Sequence, residues 1–128
     1  HAQALARDAG GGPAIDRFLR DSESFFLSRV YLALLELQMA ARTDKKLAAI
    51  FHALYDEYRQ SHDDIWIAAL AQDGYSRARV RAFVRATQYM LRGMALTASG
   101  QGPQADFRAA LREWRAMAPH YLEPARRR

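Results

Sequence analysis

The sequence contains no cysteine. That excludes a disulfide framework, a thiolate metal site and a cysteine nucleophile. It also lacks any run of 18 or more uncharged apolar residues, the length a transmembrane helix needs. The nearest stretch, Phe25 to Ala41, is interrupted by Arg29, Glu36 and Gln38. No secretory leader is visible, and the chain opens on His1, as a fragment, a processed chain or a tag remnant would. Strand signals are absent, because no stretch alternates apolar and polar residues with β-branched enrichment. Glycine and proline are scarce. They gather at Gly10–Pro13, Asp73-Gly74, Ser99–Pro103, Pro119 and Pro124.

What is present suits one domain of ordinary soluble composition. The 128 residues are half apolar and 26% charged, enough to bury a core. Charge is uneven. Residues 1–74 carry 8 basic and 11 acidic groups, and residues 75–128 carry 11 basic, all arginine, against 3 acidic. Such asymmetry fits an anionic partner, or simply a GC-rich genome that favours arginine and alanine codons.

Between the breakers lie Ala- and Leu-rich segments of helical length. The first expected helix is short, Ile15 to Asp21. The second, Ser22 to Ala41, is apolar in nearly every direction on a helical wheel, which predicts burial on all sides. Arg29 and Glu36 share its one polar strip. The third runs from Asp44 to Gln72, with Thr43 as N-cap and Gly74 just past its end. The fourth, Ser76 to Ala98, has an apolar face, a basic face of Arg77, Arg81, Arg85 and Arg92, and a small-residue face of Ala78, Ala82, Ala86 and Gly93. The fifth begins at Pro103 and stops before Pro119. The fold class is therefore all-α, a bundle of about five helices. The last two have more apolar face than one chain needs, which points to a two-fold dimer.

Few residues carry chemistry. His52 and Asp56 are four apart, but no metal-binding motif accompanies them, so no metal site and no cofactor are expected. No nucleophile elbow or phosphate loop occurs. The carboxylate pairs Asp56/Glu57 and Asp63/Asp64 read as solvated faces. Glu36 is the one carboxylate expected in a buried helix, paired with Arg29 or Arg42. The arginine stripe lacks the interleaved aromatics that stack bases and reads as a solvated face. The strongest local feature is aromatic. Phe51, Tyr55, Tyr58, His62 and Trp66 fall within about 60–80° of one another on one helix. Rings with polar tips describe either a core or a small-molecule pocket. As a pocket, it takes Phe26, Tyr31, Leu35 and Met39 from the second helix and Met90 from the fourth.

The stretch YLALLELQMAARTDKKLAAIF, Tyr31 to Phe51, resembles the C-terminal regulatory domain of TetR-family transcriptional repressors. ATQYMLRGMALTASG, Ala86 to Gly100, is similar to the family's penultimate helix, and FRAALREWRAMAPHYL, Phe107 to Leu122, to its last. The resemblance spans residues 15–122. It implies a bacterial, cytoplasmic, non-enzymatic regulator whose last two helices form a four-helix dimer interface through Ala82, Ala86, Tyr89, Gly93, Phe107, Leu111, Trp114 and Ala118. It implies a small apolar or aromatic effector in the pocket above. In the family a helix-turn-helix head precedes this region. Nothing like it occurs here, so DNA is reached only through a missing N-terminal part, and no membrane is involved. Residues 1–14 then read as a linker or truncated helix remnant, 15–122 as the ligand-binding and dimerisation domain, and 123–128 as a basic tail. Two other readings compete. One is a helical adaptor that docks a partner through Phe107, Leu111 and Trp114. The other is a small enzyme using Glu36 or His62 as a general base.

Overall fold

The computed structural model describes residues 2–7, 9–98 and 105–123. Among them are six α-helices: α1 (Ala2–Arg7), α2 (Ala14–Phe26), α3 (Arg29–Ala41), α4 (Lys45–Gln72), α5 (Arg77–Ala98) and α6 (Ala105–Tyr121). A 3-10 turn spans Ala9–Gly11. The fold is an all-α bundle, as expected, and among the described residues no single helix is long and apolar enough to cross a membrane. Helix α2 is central and packs on all five others.

The segment before α2 is an ordered turn. Gly12 takes φ +91°, a backbone open to glycine at no steric cost. Arg17 donates from Nε to Gly12 O at 3.0 Å and from Nη1 to Leu5 O at 2.9 Å. Arg20 donates to Gly11 O. One guanidinium thus ties α1 and the turn onto α2.

The largest departure from the sequence reading lies at Leu27 and Ser28. The expected helix Ser22 to Ala41 is two helices meeting at 62°. Helix α2 extends to Phe26, well past the expected end at Asp21. Ser28 starts α3. Its Oγ accepts from Tyr31 N at 3.2 Å and donates to Phe25 O at 2.6 Å. A serine inside an apolar run was enough to cap a new helix, because it supplies the first turn's missing partner. The break also overturns the expected burial on all sides. Val30 is 65% exposed, Leu37 45% and Met39 48%, and only Tyr31, Leu35 and Ala41 are buried in α3. Glu36, Arg29 and Arg42 are exposed, so the expected buried ion pair does not form.

Smaller corrections follow the same logic. The N-cap of α4 is Asp44 rather than Thr43. Its Oδ1 accepts from Lys46 N and Leu47 N, both at 3.1 Å. Gly74 stands at φ +92° beyond Asp73 and ends α4 as expected. Pro119 does not stop α6, which continues to Tyr121. Near a C-terminus proline forfeits a single ladder bond, and Leu122 N still reaches Ala118 O at 2.9 Å. The expected start at Pro103, the turn Ser99–Pro103 and the tail beyond Glu123 lie outside the described residues.

Two buried clusters fill the bundle. The first joins Ile15, Phe18, Trp66, Leu70, Val80, Phe83, Ala118 and Leu122 from α2, α4, α5 and the end of α6. Its rings form a row. Phe18 meets Trp66 edge-on at 5.6 Å, Phe18 meets Phe83 at 5.7 Å, and Phe83 stacks on Trp114 at 5.4 Å. Burying each such ring stabilises by about 2–3 kcal/mol. The second joins Phe26, Tyr31, Leu35, Leu91, Met94 and Leu111.

Candidate functional site

Polar residues collect where the two clusters meet. Each interrupts an apolar stripe. Asp21 follows Phe18 on α2, Asp63 precedes Trp66 and Ile67 on α4, and Gln88 lies between Val84 and Leu91 on α5. All three are buried. Asp21 Oδ2 accepts from Trp66 Nε1 at 3.0 Å and bonds His62 Nε2 at 3.1 Å. His62 Nδ1 lies 3.7 Å from Asp63 Oδ1. Gln88 donates from Nε2 to Asp63 Oδ1 at 2.5 Å. Arg59 and Arg85 approach Asp63 Oδ2 at 3.6 and 3.7 Å. Burial alone would depress His62, but its hydrogen bond to Asp21, its close approach to Asp63, and their charges outweigh burial and push it up to about 9. The imidazolium is therefore the neutral-pH form and bridges two carboxylates.

A second junction lies nearby. Arg92 donates from Nε to Tyr31 Oη at 3.0 Å and from Nη2 to Tyr55 Oη at 3.4 Å, which joins α5 to α3 and α4. Burial raises the Tyr31 phenol above its ordinary range, against the pull of Arg92. The expected basic face is thus divided. Arg77 and Arg81 face solvent, while Arg85 and Arg92 turn to Asp63 and to the tyrosines.

Two concavities border these junctions. A groove of about 490 Å³ runs between α3 and α4. Its walls include Val30, Leu34, Leu37, Leu47, Ile50 and Leu54, and it ends on Phe25, Phe51, Tyr55 and Tyr58. A small cavity of about 20 Å³ is lined by Phe25, Phe26, Tyr55, Tyr58, Arg59, His62 and Gln88. Phe25, Tyr55 and Tyr58 line both. Burial and the neighbouring charge of Asp21 raise the Tyr58 phenol. A third concavity, between α2 and α6, is lined by Arg20, Arg108, Arg112 and Arg115 with Asp16 and Glu23, and Arg115 is held by Asp16.

The residues expected to bind a ligand divide accordingly. Phe26, Phe51, Tyr55, Tyr58 and His62 line the groove or the cavity. Tyr31 and Leu35 are buried in the second cluster, with Met90 packed on it, and Met39 is exposed outside both walls. Trp66 is fully buried in the first cluster and reaches the polar junction through its indole N–H alone. Seven groove residues were missed, four of them (Phe25, Val30, Leu34 and Leu37) because the all-round apolar wheel of residues 22–41 hid which side stays uncovered. Asp21 and Gln88 were missed as well, and Asp63, expected on a solvated face, is buried instead. Each carried a readable signal, a polar residue at helical spacing inside an apolar stripe.

On α6 the residues expected at a dimer face pack, wholly or in part, within the chain. Leu111 and Ala118 are buried within the chain. Trp114 stacks on Phe83 and donates to Thr87 Oγ1 at 2.9 Å, and Phe107 packs on the second cluster. These side chains are occupied by α2 and α5. On α5, Ala82, Ala86, Tyr89 and Gly93 are exposed. Among the described residues no group of three or more His, Asp or Glu is arranged to hold a metal ion. No family model, curated protein or solved structure matches the chain.

Proposed function

We propose that this chain is the effector-binding and dimerisation region of a TetR-like transcriptional repressor. One observation carries the reading, the outward face of α5. Gly93 sits in mid-helix, where glycine costs about 1 kcal/mol relative to alanine. A Cβ there would meet nothing within 4 Å, so packing inside the chain does not ask for glycine. Close approach by a helix of a second subunit does ask for it, and Ala82 and Ala86 continue the same smooth exposed face. The aromatic groove and cavity on the far side of α5 supply the effector site, and the order of the helices agrees with the resemblance read from Tyr31 to Phe51, Ala86 to Gly100 and Phe107 to Leu122. An effector seated there acts by its differential affinity for two arrangements of the dimer, commonly 1–3 kcal/mol. Two heads must match half-sites one DNA turn apart, so a small change of spacing releases the operator. The reading assigns no catalytic step and a cytoplasmic location.

The test is Ala86→Arg, which sets a bulky charge on the exposed face without touching the core. Light scattering should find a dimer for the parent chain and a monomer of unchanged helicity for the variant. A monomeric parent chain overturns the reading. The exposed groove then favours a helical adaptor that docks an amphipathic partner helix between α3 and α4. The Phe107, Leu111 and Trp114 stripe offers less surface for that role, because Leu111 is buried and Phe107 and Trp114 are half-buried against the chain's own core.

A further inference from the structure

We propose that groove and cavity form one site, and that its ligand is a flat apolar molecule ending in a single uncharged hydrogen-bond donor, a phenol or an aromatic amine, held by Gln88 Oε1. This rests on the effector-binding reading and adds the chemistry of the effector.

Three observations lead there. The first is size. A groove of about 490 Å³ matches a small-molecule body, and its walls are almost wholly aliphatic and aromatic. The adjoining cavity, at about 20 Å³, has room for one water-sized group and no more. Phe25, Tyr55 and Tyr58 line both, so a molecule lying along the groove has its end at the cavity.

The second is an unpaired acceptor. Gln88 lines the cavity and is only 4% exposed. Its Nε2 is committed to Asp63, and its Oε1 is buried without a hydrogen-bond partner. The amide cannot be turned round, because that would set its oxygen against a carboxylate, which only accepts. A buried acceptor without a partner is destabilising, and an incoming donor relieves it. Neither His62 nitrogen competes for that role, since Nε2 is bonded to Asp21 and Nδ1 faces Asp63.

The third is charge. His62 and Arg59 line the cavity, and each is paired with a carboxylate outside its lining, His62 with Asp21 and Arg59 with Asp63. The carboxylates disfavour an anionic head, and the imidazolium and guanidinium at the wall disfavour a cationic one. A neutral donor satisfies both.

The probes are para-propylphenol, propylbenzene and para-propylanisole, which share one body. The anisole keeps the oxygen and lacks the donor. By calorimetry the folded chain should bind the phenol about tenfold more tightly than either of the others. Gln88→Leu should abolish that preference, and Leu54→Glu, at an exposed wall position, should weaken all three. Equal affinities, no binding of any probe, or a preference retained in Gln88→Leu overturn the proposal. Should Gln88→Leu fail to fold, the phenol-to-anisole ratio of the parent chain decides. If Leu54→Glu dissociates a dimer in light scattering, a second copy covers the groove, and the proposal is overturned. Failure of the repressor reading is seen separately, in the oligomeric state of the parent chain and of Ala86→Arg.

Discussion

Helix α4 passes through both ends of the bundle and is treated differently in each. In its last third Trp66, Ile67 and Leu70 are 0, 4 and 0% exposed, while nearer its start Ile50, Leu54 and Tyr58 are 62, 65 and 54% exposed. The side chains are of similar kinds. What differs is the number of neighbours. The C-terminal part is enclosed by α1, α2, α5 and the end of α6, and the N-terminal part has α3 along its flank, with α2 and α5 reaching it only at Tyr58 and Tyr55. Five packed helices at one end make a core, and two at the other end leave a groove. The polar junction of Asp21, His62, Asp63 and Gln88 stands at the seam. One end therefore holds the fold together, and the other end leaves an apolar groove uncovered.

The largest effect should come from breaking the enclosed end. Trp66→Ala removes a fully buried ring and leaves Asp21 short of its indole donor. It should cost about 3–5 kcal/mol, read as a fall in the urea midpoint. Leu54→Ser, at the open end of the same helix, should change stability by no more than about 0.5 kcal/mol. A loss near that of Trp66→Ala would mean that the open end is covered in solution and the contrast is false.

The seam should respond to pH. His62 is held at about 9, above its ordinary 6.5. A raised histidine stabilises fully below the ordinary value and loses that contribution as pH rises through the raised one. The stability gap between the parent chain and His62→Gln should thus be full at pH 6, shrink by pH 8 and close above about pH 9. The whole contribution is on the order of 3 kcal/mol. Asp21→Asn should lower the His62 titration midpoint, followed by NMR of the ring protons. An unmoved midpoint would detach His62 from the seam.

A smaller effect sharpens the comparison. Asp44→Ala removes the cap that satisfies two amide groups at the start of α4. It should cost about 1 kcal/mol. Amide exchange should quicken mainly at residues 46–50 and leave Ile67 and Leu70 protected, as two ends of unequal stability require.

Much of this was legible in the order of residues. Helical spacing, Asp73-Gly74 and the absence of strand patterns determined an all-helical chain, with α4 and α5 located to within a residue or so. Those are local matters, decided within a few residues by backbone preference and capping. The aromatic run from Phe51 to Trp66 was legible as a feature but not as two features, since Phe51 and Tyr58 line a groove while Trp66 closes the core. The tertiary structure alone decided that division. It also decided the bend at Ser28, the inward turn of Trp114 and the meeting of Asp21, Asp63 and Gln88 across 67 residues of sequence. A helix's periodicity states which side chains share a direction. Which direction another helix covers depends on where the chain returns, and a groove is what remains where none does.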